Sequence, residues 1–128
     1  MNLVGQAAAL VAAALHVLFF VLESVRFTRP EVYRRFLVES QADAELLRPM
    51  AFNQGFYNLF LAIGAAGGVV AVHAGHAAAG RVLVLFACGS MALAGLVLLA
   101  TDRRFLRSAL IQAIPALVAV VAIVAWYR

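Results

Sequence analysis

Hydropathy along this chain comes in long blocks. Residues 3–25, 52–74, 82–100 and 109–126 are almost wholly apolar, and each run can cross a hydrocarbon core about 30 Å thick as a helix. Arginine and most other polar side chains lie between the runs. The pattern predicts an all-α integral membrane four-helix bundle, one domain over 1–128, with short second and third connections that make successive spans antiparallel neighbours. The longer first connection predicts an interfacial segment over 29–48. There Thr28-Arg29-Pro30-Glu31 fits a capping box with proline in the first turn. Val32, Tyr33, Phe36 and Leu37 then recur at helical spacing opposite Arg34, Arg35 and Glu39, as in a helix lying on a membrane surface. Ser40 and Asp43 are placed to start a further turn or two before Arg48-Pro49.

The second run opens with an exception to its own pattern, Asn53-Gln54-Gly55-Phe56-Tyr57-Asn58. A polar side chain facing lipid costs free energy, so this block is expected to face protein, water or a ligand. On an ideal helix Asn53, Tyr57, Gln54 and Asn58 fall within an arc of about 140°. Gly64 and Gly68 continue that face as a small-xxx-small pair, which predicts close helix packing; Gly89 and Gly95 suggest the same for the third span.

Composition supports the membrane assignment. Of 128 residues 66% are hydrophobic and 12% charged, against about 25% charged in soluble domains. The net charge of +4 comes from ten arginines without lysine. These sit in the connections as anchors at an anionic surface, not as the continuous basic face that nucleic acid requires. Eight arginines lie in the first and third connections and two in the second connection and C-terminus. That bias predicts a multi-pass protein of the cell (plasma or inner) membrane with both termini outside. The first run lacks a basic leader and a small-residue cleavage signature, so it is expected to be a retained helix. Lone Cys88 allows no intrachain disulfide. Trp126 and Tyr127 fit an outer aromatic belt.

Sorted by depth, the polar residues gather at one end of the spans: Glu23, then Asn53, Gln54, Tyr57 and Asn58, then Thr101 and Asp102, then Gln112, with His16 about 10 Å deeper than Glu23. This predicts a polar cup shared by four helices and opening toward the cytoplasm. Glu23, His16 and Tyr57 are the candidate catalytic groups; Asn53, Gln54, Asn58 and Gln112 are the candidate ligand-binding groups. Plainer roles compete for each. Glu23 can pair with Arg26, His16 can be a satisfied core histidine, and the amides can be interhelical glue. Tyr57 is expected to point inward, Asp102 to be a solvated acid beside Arg103 and Arg104, and Gln112 to cap backbone freed by Pro115. His73 and His76 make too small a set for a metal site, and no cofactor motif is present.

Leu15-His16-Val17-Leu18-Phe19-Phe20-Val21-Leu22-Glu23, Asn53-Gln54-Gly55-Phe56-Tyr57-Asn58-Leu59-Phe60-Leu61-Ala62 and Gln112-Ala113-Ile114-Pro115-Ala116 resemble a bacterial family of small four-helix membrane proteins known as domain of unknown function 1304. The resemblance covers nearly the whole chain. His16, Glu23, Asn53, Gln54, Tyr57, Asn58, Gln112 and Pro115 match the family pattern. Phe27 stands where the family tends to have tryptophan, Phe36-Leu37 where it has Phe-Gly, and a Tyr and Gly usual in the third span are replaced near Val97. Some members of that family carry an epimerase label.

Three functions fit the sequence. In the first, an intramembrane isomerase or epimerase uses Glu23 and Tyr57 for proton transfer on a lipid-like or small amphipathic substrate that the amides orient. The second is a non-catalytic module that binds a lipid or a partner protein. The third is a small transporter working as a homo-oligomer; the strong charge bias favours a parallel arrangement over an antiparallel one.

Overall fold

The structure, a computed structural model, describes residues 1–126; Tyr127, half of the expected aromatic pair, lies outside the described residues. Among the described residues five α-helices follow in order, α1 (Leu3–Phe20), α2 (Pro30–Tyr33), α3 (Gln41–His73), α4 (Ala77–Thr101) and α5 (Leu106–Trp126). A π-helical turn, Val21–Val25, extends α1, and 3-10 turns at Arg34–Phe36 and Arg103–Phe105 complete the chain; no strand occurs among the described residues. The segments Leu3–Val25, Gln41–His73, Ala77–Thr101 and Arg103–Trp126 are each long and apolar enough to cross a membrane. The protein is an all-α, multi-pass membrane protein. It divides into two compact units, Met1–Leu15 with the chain from Leu61 onward, and His16–Phe60.

The first unit is a bundle of four helical segments, from α1, α3, α4 and α5. Small side chains fill its core: Ala9, Ala12, Ala65, Ala87, Ala116 and Ala119 are buried around Met91 and Ile123. Such residues let backbones approach where lipid offers no hydrophobic drive to associate. The approach is tightest between α3 and α4. A Cβ on Gly68 would lie 2.7 Å from both the Gly80 carbonyl oxygen and Val84 Cγ2. Gly64 meets only Ala87 Cβ, at an ordinary 3.4 Å, and Gly95 sits tightly under Ala113 of α5. Gly89 departs from expectation: nothing lies within 4 Å of its Cβ position, so it packs no helix.

Polar contacts also tie this unit at the end where the chain starts. Asn2 Nδ2 donates to the Ala122 carbonyl at 2.9 Å, and Gln6 Oε1 meets His73 Nε2 at 2.6 Å. Both join residues distant in sequence, which hydropathy does not register.

The second unit holds the end of α1, the first connection and the start of α3. The expected capping box does not form: Arg29, in extended conformation, is the N-cap of α2 without a side-chain bond, and only the proline at the first turn matches. Within 29–48 the chain forms α2, the 3-10 turn Arg34–Phe36 and, from Gln41, the start of α3. Val32 and Tyr33 are buried, and Tyr33 joins Phe27 and Ala44 in a small core with Phe36, Val38 and Ala51 against it. The apolar side of the connector thus folds onto protein, and the exposed Arg34 and Arg35 remain outside. The 3-10 turn ends at Leu37, in the left-handed region at φ 62°. Ser40 Oγ then accepts the Asp43 N–H at 3.1 Å and starts α3. That helix continues past Pro49. The interruption is tolerated because this part of α3 is exposed, so solvent can satisfy the carbonyl the proline leaves unbonded.

Candidate functional site

The π-helical turn is the local feature that builds the site. One extra residue per turn widens the helix, and Arg26 N–H bonds the Val21 carbonyl five residues back at 3.0 Å. Such turns occur often at functional positions. Here it carries Glu23 and Ser24. Ser24 fits against Gly55, where any side chain would collide with it, and its Oγ donates to the Phe52 carbonyl at 2.7 Å. Phe20 stacks edge-on against Phe56 at 5.1 Å, and Phe56 continues the ring contacts to Phe52 and Phe60.

With the two helices held this closely, Asn58 Nδ2 donates to Glu23 Oε2 at 2.6 Å. Asn58 is buried and Glu23 half-buried. Among the described residues no ion pair joins Glu23 to Arg26; the ion pair formed is Arg104–Asp102. The carboxylate is therefore held by a neutral amide, through one oxygen, and Oε1 makes no hydrogen bond among the described residues.

The polar block does not act as one face. Gly55 and Asn58 turn to α1, whereas Asn53, Gln54 and Tyr57 are exposed, Tyr57 by 58%. The inward phenol expected from the sequence is thus corrected. Helical geometry gives the reason: Tyr57 lies about 100° around the axis from Asn58 and about 160° from Gly55. Gln54 lies one turn before Asn58 and only about 40° from it, so its amide is the exposed group nearest the pair in angle. His16 is fully buried and meets Phe19 edge-on at 5.2 Å, while the hydrogen bond that Glu23 makes is to Asn58.

The remaining candidates belong to the bundle unit. Gln112 Nε2 donates to the Met91 carbonyl at 3.4 Å, crossing to α4 rather than capping backbone near Pro115. Thr101 Oγ1 bonds its own helix at Val97 O. Asp102 accepts the Arg104 N–H at 2.9 Å and pairs with its guanidinium; that contact holds the Asp102 carboxyl below the usual carboxylate range. As expected, Asp102 is a surface acid. A groove of about 380 Å³ lined by Leu37, Val38, Glu39, Asp43, Leu46 and Leu47 includes none of the candidate residues.

Ser24 and Gly55 carried a missed signal. A serine beside the acid, and a glycine within a polar block otherwise made of large side chains, mark where two backbones can meet. The π-helical turn left no such trace.

A family model described as protein of unknown function (DUF1304) matches residues 10–124, a stretch that contains every candidate residue. No curated protein and no solved structure matches the chain.

Proposed function

The chain belongs to that family of proteins of unknown function, and from this premise we propose that Glu23 is the proton-transferring group of an isomerase-type centre acting on a lipid-like or small amphipathic molecule. The observation that supports it is the Asn58–Glu23 bond at 2.6 Å. One carboxylate oxygen is fixed by an amide that cannot neutralise it, and the other is left to take or return a proton. Glu23 removes a proton from a carbon beside a carbonyl and returns it to that carbon or a neighbouring one. The net reaction is an isomerisation and needs no co-reactant. Gln54 is the amide placed to orient the substrate's polar end. Tyr57, on another face of α3, is not a second proton donor in this scheme.

In this reading the protein sits in the cell membrane with the first and third connections cytoplasmic and both termini outside, an orientation supported by the eight arginines of those connections against two elsewhere. The carboxyl then lies near the inner leaflet's headgroups, and the substrate enters from that leaflet.

The test does not require knowing the substrate. Protein in vesicles of host lipid extract, incubated in heavy water, is expected to wash deuterium into one lipid-like species at carbon, detected by mass spectrometry. Glu23→Gln keeps an acceptor for Asn58 and should fold, yet lose the label at least 100-fold. Equal labelling by wild type and variant, or none by either, would overturn proton transfer and leave the amide–carboxyl pair as a binding or structural contact.

A further inference from the structure

Beyond its contacts with α1, helix α3 carries a second pattern. Leu46, Met50, Asn53, Tyr57 and Phe60 succeed one another at alternating four- and three-residue steps, the spacing of a heptad seam. All five are exposed: Leu46 by 78%, Met50 by 72%, Tyr57 by 58% and Phe60 by 59%, with Asn53 also in the exposed class. The opposite face carries Gly55 and Asn58, both buried.

Lipid does not account for this stripe. Acyl chains can cover Phe60, but Leu46 and Met50 precede the apolar run that begins at 52. A 33-residue helix is about 50 Å long, well beyond the roughly 30 Å hydrocarbon core, so this end of α3 projects past the lipid tails. Water or headgroups can satisfy Asn53 and Tyr57, but they leave Leu46 and Met50 uncovered. A second helix of the same pattern meets both needs.

We propose that α3 pairs in parallel with α3 of a second copy of this chain through the stripe from Leu46 to Phe60. Asn53 faces the same residue of the second copy. An amide has both donor and acceptor, so two in register satisfy each other, and a single seam asparagine fixes register and favours a dimer. No charged residue interrupts the stripe between its ends, so two copies meet without like-charge repulsion. Five exposed side chains of this size offer on the order of 600 Å² per copy, or about 1,200 Å² over the pair, which reaches the lower bound for stable interfaces. The pairing is independent of the proton-transfer reading.

The experiment is a cysteine scan along α3 of the full chain in a Cys88→Ser background, reconstituted in phospholipid vesicles and oxidised. In a parallel pair each seam residue meets itself. Leu46→Cys, Met50→Cys and Asn53→Cys are therefore expected to form disulfide-linked dimers at least 10-fold faster than Glu45→Cys and Arg48→Cys, which lie off the stripe. Single-molecule photobleaching at low protein-to-lipid ratio should count two subunits for wild type and one for Met50→Arg, a change at an exposed position that the fold tolerates. Crosslinking without the heptad period, or single subunits for wild type, would overturn the proposal and leave headgroups or another protein as the cover of this face.

Discussion

Both units use glycine to bring helices together, and the consequences differ. In the bundle unit, Gly68 and Gly80 let α3 and α4 approach backbone to backbone, and the neighbours are Val72 and Val84. That approach yields dispersion contacts only. In the second unit, Gly55 admits Ser24 of the π-helical turn, and the same closeness lets a hydroxyl and a carboxylate bond across, Ser24 to Phe52 and Glu23 to Asn58. Close approach alone makes a stable membrane helix pair. It makes a candidate site when an acid sits one residue from the contact.

The largest expected effect breaks the first kind of approach. Gly68→Leu forces side-chain atoms onto the Gly80 carbonyl and Val84, obstacles that are partly backbone, and should destabilise the protein by about 3 kcal/mol. Gly67, one residue away, has nothing within 4 Å of its Cβ position. Gly67→Ala should raise stability by about 0.5–1 kcal/mol through helix propensity alone. Unfolding titrations in mixed micelles separate the two, and equal effects would show that packing at Gly68 is not what holds α3 to α4.

The second kind of approach should break more gently and with a different signature. Gly55→Ala puts one methyl onto the Ser24 hydroxyl, with Ser24 Cβ and backbone N each at 3.0 Å, and this smaller side chain should cost about 1–3 kcal/mol. Its mark is on the polar pair. A double-mutant cycle between Glu23→Leu and Asn58→Leu, each of which removes one partner of the bond, should give about 0.6–1.7 kcal/mol of coupling in the native background and close to none with Gly55→Ala. Coupling that survives Gly55→Ala would mean the glycine does not position the acid.

Much of this was legible in the sequence, for physical reasons that also explain what was not. Four apolar runs leave a membrane chain no alternative to helices, so the spans and the all-α class followed from hydropathy. Glu23 and Asn58 stood out because polar groups there are costly. Periodicity placed Asn58, Asn53 and Tyr57 within one arc, but it could not say that α1 packs at one edge of that arc and leaves the other exposed. It also made Val32, Tyr33 and Phe36 look like a membrane-facing stripe. Phe27 and Ala44, distant in sequence, instead draw Tyr33 into a protein core. Gln112 and Thr101 turned to backbone carbonyls at Met91 and Val97, choices that local spacing does not determine.

A smaller effect tests the connector of the second unit. Leu37 occupies φ 62°, where a side chain costs about 1–2 kcal/mol, and part of that cost buys back unfolded-chain entropy that glycine would add. Leu37→Gly should therefore stabilise by about 0.5–1 kcal/mol, whereas Val38→Gly next to it, at a residue packed against the Phe27–Tyr33–Ala44 core, should destabilise. A loss of stability in Leu37→Gly would show that the leucine contributes contacts worth more than its backbone strain.

The smallest expected effect belongs to the bundle unit's own acid, and it completes the contrast with Glu23. Asp102 has a cationic partner, an Arg104 side chain that is 71% exposed, and hydrogen bonding from Arg104 holds its carboxyl below the usual carboxylate range. A depressed value in the folded state means the pair contributes above the unfolded carboxylate's titration and is lost as pH falls through the folded one. The contribution is small because solvent and salt screen an exposed pair. Carbon-detected NMR of the Asp102 carboxyl should show a midpoint that rises in Arg104→Gln and also rises with added salt in wild type. Stability of the two proteins should converge toward acid pH and differ slightly at neutral pH. An unchanged midpoint in Arg104→Gln would remove the ion pair as its cause.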